Sequence, residues 1–225
     1  MNTKQHKSKQ IKKPWPTKAA MEQVYEMNLW GGDKADFYSG EGSYHPDIVN
    51  PYLEAVTSFL TSFETPLMVC DLGCGDFNVG KHLVKHTKKY IAVDIVGDLI
   101  EYNKAIFKEK NLEFQCLNLA KDALPSGDCA LVRQVLQHLS NNEVQQILKK
   151  LTYFKYVILT EHLPEGDFIP NKDIISGQGT RLKKKSGLNV LLPPFHFNVK
   201  EEKLLNRITL EKGKGIIETT LYKIS

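Results

Sequence analysis

The chain has no apolar stretch long enough to cross a membrane. A membrane-spanning helix needs about 20 consecutive, mostly apolar residues, and charged residues interrupt every apolar stretch well before that length. The basic start has no apolar segment followed by a small-residue cleavage site, so it does not have the pattern of a secretory signal. We therefore expect no membrane partner and a cytoplasmic location.

Cysteine is scarce, with four residues, and no two of them form a Cys-x-x-Cys pair. This argues against a structural metal site and against a disulfide framework. The cysteines fall in or beside predicted apolar strands and a glycine turn, which predicts buried, reduced thiols at Cys70, Cys74, Cys116 and Cys129. His82 and His86 are one helical turn apart without a third ligand nearby, so we predict no metal site.

Acidic residues are absent from the first 13 residues, which contain five lysines. We predict that residues 1–16 form a flexible basic arm. The formal net charge of the chain is only +4, so the part beyond the arm is nearly neutral. Composition therefore gives no general argument for a nucleic-acid partner.

The 225 residues alternate between strand and helix patterns after a helical start. This order predicts an α/β fold, a doubly wound and mostly parallel sheet, over residues 66–225. Residues 17–65 form a predicted N-terminal helical and lid segment. Two apolar segments around residues 212–214 predict a C-terminal antiparallel hairpin. The predicted strands are 67–72, 90–94, 112–117, 129–133, 155–161, 204–211 and 215–223, and the predicted helices are 19–30, 46–64, 78–88, 98–110 and 141–151.

Two long loop segments lie outside this alternation. The first, around Tyr38-Ser39-Gly40-Glu41-Gly42-Ser43, is flanked by aromatic residues, which favours a lid over a bare linker. The second is an insertion at 163–200, rich in Pro, Gly, Asn and Lys, and its length is typical of a binding loop. Within it we interpret Leu192-Pro193-Pro194-Phe195 as a wall of the substrate region. Its cations, Arg181, Lys183, Lys184 and Lys185, either meet an anionic substrate or form a solvated charge run.

The most informative motif is Asp71-Leu72-Gly73-Cys74-Gly75, where the first strand ends in an acid and a Gly-x-Gly turn. Glycines allow the backbone to approach a ligand, and a following helix would offer unpaired N–H groups. The second strand ends in Asp94, at the spacing of a carboxylate that binds a ribose. The pattern predicts a nucleotide-type cofactor at this edge of the sheet.

From 67 to 223 these residues resemble the class I S-adenosylmethionine-dependent methyltransferases. Asp71, Gly73 and Gly75 are similar to the first motif of that family, whereas a dehydrogenase fingerprint would have glycine at Asn78. A bacterial subset of the family also pairs a Tyr-Ser-Gly-x-Gly-Ser loop with a Leu-Gln-His-Leu-Ser segment, as here. The resemblance implies a seven-stranded Rossmann-like sheet, S-adenosylmethionine as cofactor and S-adenosylhomocysteine as product.

The resemblance also implies roles for individual residues. Asp94 would accept from the ribose hydroxyls, Asn118 would contact the adenine amine, and Ile95 and Leu119 would flank the base. Asn118 as a turn former is the alternative. The implied cofactor-binding set is Asp71, Leu72, Gly73, Cys74, Gly75, Asn78, Asp94, Ile95, Asn118, Leu119, Arg133, Gln134, Tyr38 and Ser39.

Methyl transfer requires an attacking atom in line with the sulfonium methyl, and in some reactions a base. The candidate catalytic residues are Glu161, His162 and Tyr38, with solvated loop residues as the alternative for the first two. We interpret His138 as capping or packing a helix start.

Three alternatives stay open beside a methyltransferase with a small-molecule acceptor. One is a protein or RNA methyltransferase that docks through the basic arm and Arg181–Lys185. Another is a non-catalytic module that binds S-adenosylmethionine. An NAD-dependent enzyme is the last.

Overall fold

Seven strands form one sheet in the computed structural model, which describes residues 15–32, 37–211 and 213–224. Most of the predicted arm at 1–16 lies outside these ranges, so its character stays a prediction. The strands are β1 (Met68–Leu72), β2 (Lys89–Asp94), β3 (Leu112–Cys116), β4 (Cys129–Arg133), β5 (Tyr156–Leu163), β6 (Glu201–Thr209) and β7 (Ile216–Lys223). The helices are α1 (Thr17–Glu26), α2 (Pro46–Thr61), α3 (Gly97–Ile106) and α4 (Asn141–Leu151).

The sheet has the strand order β3-β2-β1-β4-β5-β7-β6. Strands β1 to β5 run parallel to one another, and β7 is inserted antiparallel between β5 and β6. The predicted mostly parallel seven-stranded sheet with a C-terminal antiparallel hairpin is therefore confirmed. The order reverses between β1 and β4, so the chain leaves β1 and β4 in opposite directions along the sheet, which opens a crevice at their carboxyl ends.

Apolar layers cover both faces of the sheet. On one face α2 packs Tyr52, Val56 and Leu60 against the alternate strand positions that include Val69 and Leu131. On the other face α4 packs its apolar side against the positions that include Cys70 and Val132. Because both faces are covered, the central strands are apolar at consecutive positions rather than at every second one.

The helix predicted over residues 78–88 is wrong. This segment forms two short 3₁₀ turns, Gly80–His82 and Val84–His86. Phe77 has a φ of 62°, a conformation that ends regular helix, and its side chain is fully buried. Gly80 and the β-branched Val79 and Val84 further disfavour an α-helix. The glycine turn is therefore not followed by an α-helical N-terminus.

Smaller differences concern element ends and thiols. Helix α3 begins at Gly97, and Asp98 lies in its first turn instead of capping it; it ends at Ile106 because Phe107 is extended. Cys70 and Cys129 are buried as expected, whereas Cys74 is partly exposed and Cys116 is exposed.

The insertion at 163–200 packs against the core instead of extending into solvent. Leu188, Val190, Phe195 and Phe197 are buried in the α4 side of the core. Leu192 and the two prolines before Phe195 are exposed. Among the helices within the described ranges, none is both long and apolar enough to cross a membrane.

Candidate functional site

A cavity of about 400 Å³ opens at the carboxyl ends of β1, β2 and β4, next to the strand-order reversal. This is where open α/β sheets bind ligands. Eleven of the residues predicted from the sequence line it, which are Ser39, Asp71, Gly73, Cys74, Gly75, Asp94, Ile95, Asn118, Leu119, Arg133 and Gln134. Five others, which are Tyr38, Leu72, Asn78, Glu161 and His162, are not part of its lining.

The glycine turn after β1 forms the floor of the cavity. Gly73 and Gly75 have φ values of 91° and 56°, in the region that favours glycine. The amides of Gly73 and Cys74 both donate to Val93 O, at 2.7 and 2.9 Å, which ties the turn to β2. A Cβ atom at Gly73 would lie 2.3 Å from Val135 Cγ2. The turn therefore needs glycine for its conformation and for the room above it.

Asp94 projects from the end of β2 beside this turn. Its Oδ2 accepts from Gly75 N at 3.1 Å and its Oδ1 accepts from Val96 N at 3.0 Å. Burial raises the pKa of this carboxyl, and the backbone amides oppose that shift. A carboxylate offers about four acceptor positions, and the amides of Gly75, Val96 and Ile95 leave at least one for a ligand in the cavity.

Asp71 lies deeper, at the end of β1. Tyr90 donates its hydroxyl to Asp71 Oδ2 at 2.9 Å. Burial raises the pKa of Asp71 to about 6, whereas the Tyr90 hydrogen bond and the Arg133 charge lower it. At pH 7 Asp71 is therefore mostly ionised at the bottom of the cavity.

The loop over residues 37–44 is bound to the glycine turn by polar contacts. Asp76 Oδ2 accepts from Ser39 N at 2.8 Å and from the Tyr44 hydroxyl at 2.9 Å, while Asp76 N donates to Ser39 Oγ at 2.8 Å. Asn78 Nδ2 donates to Ser43 O at 2.8 Å. Asn78 therefore holds the loop and does not reach the cavity. Tyr38 stacks on Tyr44 with ring centroids 4.6 Å apart, outside the cavity lining.

Asn118 shapes the turn after β3. Its Oδ1 accepts from Ala120 N at 3.0 Å and from Lys121 N at 3.2 Å. These two bonds occupy both lone pairs of the amide oxygen. The geometry thus favours the turn-forming interpretation over the adenine contact through this oxygen, although Asn118 does line the cavity.

His138 lies in the 3₁₀ turn Leu136–His138 and lines the cavity. Burial lowers the pKa of its imidazole to about 4, so the ring is neutral. Nδ1 donates to Gly179 O at 3.3 Å, which leaves Nε2 to accept from the Gln137 amide at 3.2 Å. Its ring also packs on Trp30. His138 joins the insertion and the N-terminal segment above the cavity, and Ser140 is the residue that caps α4.

Glu161 and His162 lie within β5, which continues to Leu163 and pairs with β7 at both positions. The predicted strand end at Glu161 is therefore two residues too early, and the alternative that both are solvated loop residues is wrong. His162 Nε2 bonds to Lys214 O at 2.6 Å, away from the cavity. Glu161 is 4% exposed, and neither of its oxygens has a hydrogen-bond partner among the described residues. Neither side chain is placed to contact a ligand in the cavity.

Glu161→Gln is expected to increase the free energy of unfolding by a margin that grows as the pH rises. Burial raises the pKa of Glu161 from 4.5 to about 8, with Arg181 opposing the shift. Between these two pH values the folded protein keeps a proton on Glu161 that the unfolded chain releases. The free energy of unfolding of the unmodified protein is therefore highest below pH 4.5 and falls as the pH rises towards 8. A glutamine side chain does not titrate. The free energy of unfolding of Glu161→Gln should therefore exceed that of the unmodified protein by roughly 2–4 kcal/mol near pH 8. Urea unfolding near pH 5 and near pH 8 measures it.

The control for this experiment is Glu165→Gln, which changes an exposed glutamate of the insertion. Its free energy of unfolding should differ from that of the unmodified protein by the same small amount at both pH values. An equal margin for Glu161→Gln at both pH values would contradict the assignment of a protonated carboxyl.

Arg181 neither meets solvent nor faces the cavity, which corrects both interpretations of it. Its side chain is 1% exposed, and its guanidinium donates to three backbone carbonyls of 136–139 and to Asn141 Oδ1. Lys183, Lys184 and Lys185 are exposed. The basic cluster therefore divides into one structural arginine and three surface lysines.

Several cavity residues come from segments without a ligand-binding pattern. Tyr25 and Trp30 reach it from the end of α1 and the turn after it, and Gln178 and Thr180 reach it from the insertion. The Leu192–Phe195 segment, expected to be a substrate wall, does not line it. No group of three or more His, Cys, Asp or Glu within 15–32, 37–211 and 213–224 is arranged to hold a metal ion.

Comparison with known proteins identifies one family and many structures of the same fold. Residues 69–153 match the model of a methyltransferase domain family. No curated protein sequence matches the chain. The matched range contains the glycine turn, Asp94, Asn118, Arg133 and His138, and ends before β5.

Three solved structures illustrate the shared fold. The N-methyltransferase NodS from Bradyrhizobium japonicum WM9, in complex with S-adenosylhomocysteine, has a TM-score of 0.65 at 10% identity, covering 91% of this chain and 98% of that one. Magnesium protoporphyrin IX methyltransferase from Synechocystis PCC 6803, with bound S-adenosylmethionine, has a TM-score of 0.60 at 15% identity, covering 94% and 98%. Human N-acetylserotonin methyltransferase, also with S-adenosylmethionine, has a TM-score of 0.54 at 18% identity, covering 92% and 65%.

At these identities the structures establish the fold, and the family match places a methyltransferase domain at the cavity. The shared fold includes the seven-stranded sheet with β7 inserted antiparallel. The family match includes the glycine turn after β1. The chain thus contains a segment that matches a methyltransferase domain and has the fold of methyltransferase structures that hold S-adenosylmethionine or S-adenosylhomocysteine.

Proposed function

We propose that this protein binds S-adenosylmethionine in the cavity and transfers its methyl group to a small-molecule acceptor. The observation that carries the proposal is the convergence of the glycine turn and Asp94 on one cavity at the strand-order reversal. Asp94 would accept from the ribose hydroxyls with the acceptor capacity that the backbone amides leave free. Ile95 and Leu119, which line the cavity next to it, would flank the adenine.

The charge of the cavity also supports this donor. Five carboxyl side chains line it, those of Glu41, Asp71, Asp76, Asp94 and Glu143. A cavity with an excess of negative charge attracts a cationic ligand, and a sulfonium is such a cation. S-adenosylmethionine supplies the reactive methyl when bound, so this chain has to supply position and exclusion of water.

The enclosure of the cavity favours a small acceptor. The loop over 37–44, Trp30 and the insertion at 178–180 surround the side that faces away from the sheet. The volume of about 400 Å³ is within the range of small-ligand pockets. We infer that the loop acts as a lid, because Asp76 and Asn78 bind it directly to the glycine turn. Two of the structures of this fold are methyltransferases named for magnesium protoporphyrin IX and N-acetylserotonin.

Asp94→Ala should reduce the affinity for S-adenosylmethionine roughly 10- to 100-fold. The variant removes a buried carboxylate that would bind two ribose hydroxyls, and hydrogen bonds to a charged group contribute about 1.5–3 kcal/mol. It also removes the acceptor for Gly75 N and Val96 N, which loosens the turn. Calorimetric titration of the purified protein with S-adenosylmethionine and with S-adenosylhomocysteine measures the change.

Asp98→Ala is the matched control, because Asp98 is an exposed aspartate four residues away that does not line the cavity. Its affinity should equal that of the unmodified protein. An Asp94→Ala variant that binds as tightly as this control would contradict the donor placement. A parallel titration with NAD tests the dehydrogenase alternative, and transfer of labelled methyl groups in a cell extract tests the non-catalytic one.

A further inference from the structure

Asn103 lies outside the cavity lining, but its side chain bonds to the glycine turn that forms the cavity floor. It is on the buried side of α3, and none of its surface is exposed. Its Nδ2 donates to Gly75 O at 2.8 Å. The Cys74 thiol also approaches this carbonyl, at 3.6 Å, but a thiol is a weak donor. Asn103 is therefore the stronger of these two partners of the Gly75 carbonyl.

Gly75 is held through both of its backbone polar groups. Its N–H donates to Asp94 Oδ2 at 3.1 Å, and its carbonyl accepts from Asn103. Asp94 Oδ1 accepts from Val96 N, directly before the start of α3. These contacts join the glycine turn, Asp94 and α3 in a closed circuit. Because glycine rotates easily, a Gly75 released by Asn103 would carry away the amide that orients Asp94.

Asn103 reduces the stability of the protein at this position. Its Oδ1 is buried and has no hydrogen-bond partner within residues 15–32, 37–211 and 213–224. An unsatisfied buried acceptor is destabilising, and asparagine is a poorer helix former than leucine. Leu99 and Ile100 lie on the same buried side of α3, so an apolar side chain would suit the packing. What an apolar residue could not supply is the bond to Gly75 O.

We propose that Asn103 is a positioning residue for the donor site, which acts through Gly75 on the carboxylate of Asp94. This inference rests on the proposed function, because it concerns how the site holds the ribose of the same donor. Two backbone amides orient the carboxylate, and Asn103 secures the one that belongs to Gly75. A group that fixes a binding side chain in this way improves affinity by preorganisation, without touching the ligand.

A double-mutant cycle measures whether Asn103 acts through Asp94. Asn103→Leu removes the donated bond and the unpartnered oxygen while it keeps a similar volume. It should bind S-adenosylhomocysteine roughly 5- to 30-fold more weakly than the unmodified protein, the range for one lost hydrogen bond. In the Asp94→Ala background the same substitution should change the affinity less than about twofold, since the carboxylate that Asn103 positions is absent. Titration calorimetry on the four proteins measures both effects.

Asn111→Leu is the matched control, because the Asn111 amide also donates to backbone carbonyls, those of Val84 and Thr87, outside the cavity lining. It should lose stability and keep the affinity of the unmodified protein. Asn103→Gln keeps the amide on a longer stem and is the second variant if Asn103→Leu does not fold. Its loss of affinity should be smaller and should show the same dependence on Asp94.

The outcomes separate this inference from the proposed function. An equal loss of affinity from Asn103→Leu in both backgrounds would overturn the inference and leave Asn103 a role in packing alone. An Asn103→Leu variant that binds as tightly as Asn111→Leu would overturn it as well. Failure of the unmodified protein to bind S-adenosylhomocysteine would instead overturn the proposed function.

Discussion

Gly73→Ala is expected to reduce the affinity for S-adenosylhomocysteine by roughly 100-fold or more. The added Cβ would lie 2.3 Å from Val135 Cγ2, and the residue would keep a φ of 91°, which costs a non-glycine residue about 1–3 kcal/mol. Val135 itself lines the cavity, so relieving the collision displaces a side chain that borders the donor. Together the strain and the displacement amount to about 3 kcal/mol or more, which corresponds to this loss. Titration calorimetry with S-adenosylhomocysteine measures it.

Gly166→Ala separates backbone strain from collision. Gly166 has a φ of 75°, and nothing lies within 4 Å of a Cβ built there. This variant should lose stability without losing affinity. The double variant Gly73→Ala/Val135→Ala removes the colliding methyl groups and should recover part of the binding. If Gly73→Ala bound as tightly as Gly166→Ala, the turn would not be the floor of the donor site.

The sheet was predictable from the sequence because its signals are local. Four of the five parallel strands, β1, β2, β4 and β5, are short, mostly apolar segments, because burial on both faces makes such segments continuous. The edge strand β3 alternates apolar and polar residues instead. The glycine turn and Asp94 were predictable for the same reason, since each follows directly on a strand. Their meeting at one cavity follows from parallel strands having their carboxyl ends on the same edge.

Local pattern failed where a single backbone conformation interrupts a periodic segment. Residues 78–88 have apolar positions at helical spacing, but Phe77 with its positive φ and Gly80 against the Phe77 ring prevent a continuous helix. A Cβ at Gly80 would lie 2.4 Å from that ring. The spacing of apolar residues does not report such a contact, so the helix prediction was wrong.

Long-range contacts explain the other failures. Gln178 and Thr180 reach the cavity because His138 and Arg181 bind the insertion to the 3₁₀ turn Leu136–His138. His162 lies in a strand because β7 extends the pairing of β5 to Leu163, beyond the predicted strand end at Glu161. None of these partners is close in sequence, and a lysine-rich neighbourhood made Arg181 look like a surface residue.

Arg181→Met should lower the free energy of unfolding by about 3–5 kcal/mol, the range for removing one partner from a buried charged network. The guanidinium donates at 2.8 Å to Leu139 O, and it also reaches Leu136 O, Gln137 O and Asn141 Oδ1. Methionine fills most of the volume but donates nothing, so these acceptors lose their partner away from water. Urea unfolding followed by circular dichroism measures the loss.

The same variant should weaken donor binding, because the 3₁₀ turn that Arg181 holds carries His138 into the cavity lining. Arg181→Lys keeps the charge but not the planar fork, and it should fall between the unmodified protein and Arg181→Met. Lysine can bond to one or two of the four acceptors from a single nitrogen. The order arginine, lysine, methionine in stability therefore distinguishes a hydrogen-bonding role from a purely electrostatic one.

Arg207→Met is the matched control, since Arg207 is 54% exposed and paired with Glu218 on the neighbouring strand. Exposed ion pairs contribute about 0–1 kcal/mol, so the free energy of unfolding of this variant should lie within about 1 kcal/mol of that of the unmodified protein. If Arg181→Met lost no more stability than Arg207→Met, the buried guanidinium would not be what holds the insertion on the 3₁₀ turn. If it lost several times more, the insertion, the 3₁₀ turn and the cavity would be shown to depend on one side chain that contacts no ligand.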